Sequence, residues 1–208
     1  MTFDISKSEK NLYLPGTRPV FVDVPSFKFF SIRGSGNPND PAFADFIAVL
    51  YSLSYAVKMS PKAGIAPEGY TEFKVYPLEG VWDLSERGRM NYAGKVDKDE
   101  LVFNLMIRQP DFVTHDFANI IIERTKKKKP HPLLELASFE TITDGPSIQM
   151  LHRGSYDNEP ASFRMMEEFA AEQKYVRKTM VHREIYLSDA RRTPAEKLKT
   201  ILRFQVTI

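Results

Sequence analysis

Cysteine is absent from the 208-residue chain. Disulfide frameworks, cysteine–zinc sites, iron–sulfur ligation and thiol nucleophiles are therefore excluded. Long apolar runs are missing too: the most apolar window, Phe46 to Val57, is interrupted by serines and tyrosines. It falls well short of the roughly 20 residues that a bilayer demands. The opening MTFDISKSEK is polar and has no apolar segment of a signal peptide, so a cytoplasmic protein that does not engage membranes is expected. Neither sign of charge dominates, with 29 Lys+Arg against 27 Asp+Glu and a formal net charge of +2. That balance cannot supply the basic field on which phosphate-backbone binding relies, and no direct nucleic-acid partner is expected.

Histidine is scarce. His115, His131, His152 and His182 form no i, i+4 pair and no H-E-x-x-H arrangement, so neither a metal nor another cofactor is expected. Arg33-Gly34-Ser35-Gly36 lacks the Lys-Ser/Thr of a P-loop, and its glycines read as turn residues. No G-x-S-x-G occurs, which removes the hydrolase elbow. Lys126 to Lys129 reads as a solvated cationic cap at a helix C-terminus, opposing the negative end of the dipole.

What is present is a core-forming chain, 42% hydrophobic and 12% aromatic, of a size for one domain or two small ones. Its clearest internal feature is repetition. Arg153-Gly154-Ser155 follows Arg33-Gly34-Ser35 at a separation of 120 positions. Each copy continues with an Asn/Asp/Pro-rich loop and an apolar-periodic stretch. Locally, Phe27 to Arg33 reads as a strand, and Asn39 or Asp40 as the cap of a helix running to about Val57. Thr71 to Leu78 and Leu101 to Arg108 read as strands. Val20 to Val24 is expected to form a hairpin with the strand from Phe27.

In the second half, Leu136 to Thr143, a turn at Asp144-Gly145-Pro146 and Ser147 to Arg153 read as another hairpin. A helix over Pro160 to Lys174 and strands over His182 to Ser188 and Thr200 to Thr207 follow. The expectation is an α+β fold of two tandem strand-helix-strand-strand modules with pseudo-twofold symmetry. Its antiparallel sheets carry helices on one face, with a ligand cleft between the modules. The whole of 1–208 is read as one domain: module one at about 18–110, a linking helix at about 114–129 and module two at about 134–208.

Period-2 alternation sends Arg183, Ile185 and Leu187 to one face of their strand and His182, Glu184 and Tyr186 to the other. If Ile185 and Leu187 join the helix-covered core, Glu184 and Tyr186 face the open side. A carboxylate in the middle of an aromatic-flanked strand is costly to desolvate unless something uses it. The aromatic residues that could join it are Tyr51, Tyr55, Tyr76, Trp82, Phe112 and Tyr156. Trp82, the single tryptophan, follows Pro77-Leu78-Glu79-Gly80-Val81 at a strand end, where it could cap the core or stack on a flat ligand.

Five segments in order, FKFFSIRGSGNPNDPAF, KVYPLEGVW, LMIRQPDFV, MLHRGSYDNEPASF and HREIYLSDARRTPAEKLKTILR, make the chain similar to the GyrI-like small-molecule-binding domain family. It resembles the stand-alone branch, as no helix-turn-helix segment precedes the domain. The resemblance implies a buried glutamate that meets cationic or aromatic ligands, matched here by Glu184. Some members of the branch are similar to cyclopropanoid cyclopropyl hydrolases, which open the cyclopropane of DNA-alkylating natural products with water. That likeness implies Glu184 as the base, Tyr55 orienting the water, and Tyr186 or Tyr156 as donor to the developing phenolate. Trp82, Phe112, Tyr156, Tyr51, Tyr76 and His182 would surround an aromatic small molecule. Asp83 stands where an aromatic is expected and Phe103 where a tryptophan is typical, which bears on pocket size. The competing expectation is a non-catalytic binder or sensor of amphipathic or cationic drugs, its protein partner, if any, left open.

Overall fold

The computed structural model describes residues 8–208. The first residues of the polar opening, 1–7, lie outside them. The fold is α+β. Its strands are β1 (Val20–Ser35), β2 (Leu78–Leu84), β3 (Leu101–Gln109), β4 (Ser138–Arg153), β5 (Val176–Arg177), β6 (His182–Tyr186) and β7 (Lys199–Thr207). The helices are α1 (Lys10–Tyr13), α2 (Phe43–Lys58), α3 (Glu86–Met90), α4 (His115–Lys128) and α5 (Glu159–Glu172). Among the described residues no helix is long and apolar enough to cross a membrane.

The chain divides into two compact units that do not follow its linear order. One holds Phe27–Leu78 and Trp82–Ile142; the other holds Glu79–Val81, Thr143–Ile208 and the described N-terminal segment up to Ser26.

In the first unit β1 pairs antiparallel with β3, from Lys28 opposite Gln109 to Ser35 opposite Val102. Helix α2 buries Val49, Leu50, Leu53 and Val57, a 3–4 residue spacing that places all four on one side of the helix. No side chain caps α2, and Ala42 occupies the cap position, so the expected Asn39 or Asp40 cap is not formed. Asn37 instead accepts from the Asn39 backbone N–H at 3.0 Å, closing the preceding loop on itself. Helix α4 is capped by Thr114, whose hydroxyl accepts from the Phe117 N–H at 3.2 Å.

Two expected hairpins are instead single strands. β1 runs unbroken through Pro25-Ser26, and β4 runs unbroken through Asp144-Gly145-Pro146. Pro25-Ser26 contains no residue with positive φ, which a two-residue hairpin turn needs. Gly145 does have a φ of +66°, but the neighbouring Asp144 serves two arginines rather than a chain reversal, as described below. The strand expected over Thr71 to Leu78 begins only at Leu78, after Pro77, and carries Trp82 inside it rather than beyond its end.

Gly34 is not the turn residue expected. It lies within β1, and a Cβ there would come within 2.6 Å of the Phe103 ring. Close packing, not turn geometry, requires the glycine; Gly36, at φ +110°, is the turn residue.

The second unit is built on β7, which pairs antiparallel with β4, β5 and β6. Alternate residues Leu202, Phe204 and Val206 of β7 join Ile148 and Met150 of β4 against Met166 and Ala170 of α5. Helical and strand periods therefore meet on one face, where each fully buried aliphatic side chain contributes roughly 1.5–3 kcal/mol.

Candidate functional site

The register of β6 decides where its polar residues go. Glu184 lies opposite Leu202, and Ile185 lies opposite Ile201. Directly paired residues of antiparallel strands share a face, and Leu202 belongs to the α5-covered core. Glu184 therefore projects to the helix-covered face, not the open side expected above. The alternation of β6 holds, but its other face is buried as well: Ile185 and Ile201 have no exposure at all. Alternation tells which residues share a face and not which face is covered.

Glu184 is 8% exposed. Its Oε1 lies 3.0 Å from Nε2 of His182, two residues earlier on the same face. The His182 ring meets Phe163 of α5 edge-on, with centroids 4.7 Å apart. A second acid, Glu159, stands in the first turn of α5, with its carboxyl within hydrogen-bonding reach of Glu184. Burial first, then the Glu184 charge and that hydrogen bond, push the Glu159 carboxyl well above the ordinary carboxylate range. Like charges this close in a desolvated place oppose one another's ionisation, which favours the protonated form of Glu159. Oε1 of Glu159 is buried with no hydrogen-bond partner among the described residues.

Two tyrosines complete the group. Tyr156, in the single 3-10 turn Tyr156–Asn158 that leads into α5, meets Tyr186 edge-on with centroids 6.0 Å apart. Burial and the nearby charge of Glu184 push the Tyr156 phenol up to about 12. It therefore remains a proton donor through the neutral range. At 37% exposure, Tyr156 is also where this group opens to solvent. The turn is held by His152, whose Nε2 sits 3.1 Å from the Ser155 carbonyl while its Nδ1 sits 2.9 Å from the Ser162 hydroxyl of α5.

The other face of β6 and β7 carries charge of another kind. Arg183 and Arg203 are direct cross-strand partners, a like-charge pairing that is unfavourable unless compensated. Asp144 compensates it. It accepts from Arg183 Nε and Nη2 at 2.7 and 2.8 Å and from Arg203 Nη1 at 3.4 Å. Glu79 accepts from Arg183 Nη1 at 2.9 Å and from the Tyr13 hydroxyl at 3.4 Å. Gln149 accepts from Arg203 Nε and Nη2 at 3.0 and 2.8 Å.

Two carboxylates and two guanidiniums cancel formally. Burial would raise the Asp144 carboxyl, but the two guanidiniums outweigh it and hold the group below its ordinary value. Glu79 is deeper; burial raises it, and Arg183 and Arg203 offset only part of the rise. The cluster's carboxylates are taken up by its own arginines, whereas Glu184 and Glu159 stand on the opposite face.

Of the site residues expected from the sequence, Glu184, His182, Tyr156 and Tyr186 come together in this unit. Trp82, Phe112, Tyr51, Tyr55 and Tyr76 belong to the other. Trp82 is buried there, 6.0 Å from Phe43 and 5.4 Å from Phe103 between centroids. Tyr76 and Phe112 both pack on Phe73, at 6.3 and 5.9 Å. Tyr51 and Tyr55 lie 6.3 Å apart on α2. Sequence reasoning missed Glu159. Its signal was present as an acid immediately before Pro160 at a helix start, where it reads as an ordinary first-turn residue favoured by the helix dipole.

Residues 17–207 match the family model described as GyrI-like small molecule binding domain. A search of curated proteins gives no match. Among solved structures, a hydrolase from Listeria innocua is 31% identical, with 99% of this chain and 100% of that one covered and a TM-score of 0.89. An uncharacterized conserved protein from the same organism is 32% identical over 99% of this chain and 100% of that one, with a TM-score of 0.90. The C-terminal domain of EcmrR is 12% identical over 91% of this chain and 97% of that one; its TM-score of 0.52 shows likeness of fold alone.

Proposed function

Because the chain belongs to the GyrI-like small-molecule-binding domain family, we propose that the Glu184 site hydrolyses an electrophilic aromatic small molecule of the cyclopropanoid type. The observation that carries this reading is the Glu159–Glu184 pair, two buried carboxyls within hydrogen-bonding reach, with Glu159 pushed well above the ordinary carboxylate range. In this reading such a pair offers both halves of acid–base chemistry, a carboxylate to accept a proton and a neutral acid to give one. Full-length similarity to a Listeria innocua protein described as a hydrolase supports the same reaction class.

In the proposed reaction Glu184, oriented by His182, takes a proton from water as its oxygen attacks the unsubstituted cyclopropane carbon. The carbon–carbon bond to the dienone ring breaks. Its electron pair passes through the ring to the carbonyl oxygen, which becomes a phenolate hydrogen-bonded by a donor; the proton that Glu184 took from water then reaches that oxygen through solvent, giving the phenol and restoring the carboxylate. Tyr156, kept protonated by burial and by the charge of Glu184, is the donor aimed at that oxygen, with Tyr186 bracing its ring. Fixed donors in a partly desolvated site favour the developing phenolate over the neutral ground state. The product is a phenol carrying a primary alcohol, one water heavier than the substrate. The chain would thereby detoxify a DNA alkylator.

A second reading shares the residues. A buried carboxylate beside Tyr156, Tyr186 and Phe163 also suits a lipophilic cation, held by charge and by aromatic faces without turnover. One experiment separates the two. The protein at catalytic concentration is mixed with a duocarmycin-type cyclopropanoid, and the ultraviolet spectrum and product mass are followed beside Glu184→Gln. Many turnovers of hydrated product, lost in the variant, are expected. Unchanged compound, or consumption that stops at one equivalent, would sink the hydrolase reading and leave a binder.

A further inference from the structure

The first unit contains a groove that the proposed reaction does not use. It runs between α2 and α4, has a volume of about 490 Å³, and falls within the roughly 300–1,000 Å³ typical of small-molecule sites. Its α2 wall follows from sequence spacing. Ala48, Tyr51, Ser52, Tyr55, Ala56 and Met59 all line it, one stripe at three- and four-residue intervals. Alanines at 48 and 56 leave the space open, while Tyr55 and Met59, 51% and 41% exposed, edge it with large apolar surface. Ile65 and Ile121 contribute further apolar lining.

The α4 wall ends in cations. Arg124, Lys128 and Lys129 line the groove, and no acidic side chain pairs with any of them among the described residues. Lys126, on the same helix, differs: it is matched by Glu123 at 3.1 Å and Glu135 at 2.8 Å. A basic last turn is expected of any helix C-terminus and is by itself no site. Here three cations without acidic partners among the described residues stand beside an apolar trough, while Lys126 is matched by acids.

The geometry points to a binding site for a small amphipathic organic anion. Its aryl or acyl body would lie along the Tyr51–Tyr55–Met59 stripe, and its carboxylate or sulfonate would sit against Arg124, Lys128 and Lys129. Charge complementarity selects this occupant. A neutral lipid tail would leave the cations without a counter-charge, and a lipophilic cation would be repelled by all three. The groove lies in a different unit from Glu184 and selects the opposite charge, so its occupancy does not depend on the reaction proposed above.

The test is a titration of the intact protein with decanoate, decan-1-ol as the neutral control, followed by amide chemical shifts. Saturable binding of one decanoate is expected, with shifts concentrated in residues 48–59 and 121–129. Decan-1-ol should bind at least tenfold more weakly. Arg124→Gln/Lys128→Gln, which preserves helix propensity, should weaken decanoate at least tenfold, and Ala56→Trp should abolish binding by filling the trough. Equal affinity for the alcohol, shifts confined to the other unit, or unchanged binding in the glutamine variant would overturn the proposal. Concentration-dependent shifts of the same amides without ligand would do so as well, assigning the groove to a second copy of the chain.

Discussion

Glu159 of α5 and Glu184 of β6 bring two buried carboxyls within hydrogen-bonding reach on the same face of the second unit. The raised Glu159 carboxyl has a stability consequence. Glu159 titrates higher in the folded chain than its ordinary 4.5, chiefly through burial. Its contribution is therefore complete below the ordinary carboxylate value and is lost as pH rises through the raised one. The wild-type protein should lose stability as pH rises from the ordinary value to the raised one, whereas Glu159→Gln, neutral at every pH, should not show that loss. Urea midpoints measured from pH 5 to 9 check this. Parallel curves for the two proteins would show that Glu159 does not titrate higher in the folded chain.

Tyr156 is assigned the donor role because burial and Glu184 push its phenol up to about 12. Tyr156→Phe should therefore lower kcat roughly 10²-fold, as removal of one donor to a developing oxyanion does elsewhere. Substrate binding should change little, since the ring and its contact with Tyr186 remain. The wild-type rate should also show no alkaline fall attributable to a tyrosine near pH 10. A stopped-flow pH profile of both proteins decides the matter; a Tyr156→Phe rate within twofold of wild type would remove Tyr156 from the mechanism.

The sequence made the site partly legible, and the limits have physical reasons. Strand alternation grouped His182, Glu184 and Tyr186, because the side-chain period of a strand is fixed by its backbone. It could not show which face α5 covers, since Ile185 and Leu202 on opposite faces are equally buried. The Asp144-Gly145-Pro146 signal pointed to a turn because Asp and Gly favour one. Asp144 is instead held by Arg183 and Arg203, one of them 59 positions away along the chain. No local pattern encodes such a partner. Glu159 was invisible for a similar reason: its neighbour Glu184 reaches it only through the β6 register. Helices α2, α4 and α5 were legible to within a few residues, because apolar spacing and Pro or Thr at their starts are local properties.

Asp144 carries the electrostatics of the second unit's other face. Removing its charge would leave Arg183 and Arg203, 4% exposed each, opposed across β6 and β7. Breaking a buried pair by removing one partner costs about 3–5 kcal/mol, so Asp144→Asn should lower stability by that order. The group is held below its ordinary value by the two guanidiniums. Its contribution is therefore present above the ordinary aspartate value of 3.8 and lost as pH falls through the depressed one. Acid unfolding of the wild type should accordingly begin below pH 4 where this group is concerned. A denaturant titration in which Asp144→Asn loses less than about 1 kcal/mol would mean that water, not Asp144, solvates the arginines.

Gly34 offers a test of packing in the first unit that is independent of any ligand. A Cβ at this position would lie 2.6 Å from Phe103 Cε2 and 2.9 Å from Phe46 Cε1. Both atoms belong to rings that pack edge to face with centroids 5.3 Å apart, and Phe103 also packs on Trp82 at 5.4 Å. The rings cannot retreat without disturbing that cluster, so Gly34→Ala should cost about 1–3 kcal/mol, the usual range for an overpacked core. Backbone strain is not the cause, because Gly34, unlike Gly36, is not among the positive-φ glycines. Phe103→Leu alone should also destabilise the unit by opening a cavity. Combined with Gly34→Ala it should recover part of the loss, because leucine vacates the space that the new methyl needs. Thermal unfolding of the two single variants and the double variant measures the coupling; strictly additive losses would show that Phe103 is not what the alanine meets.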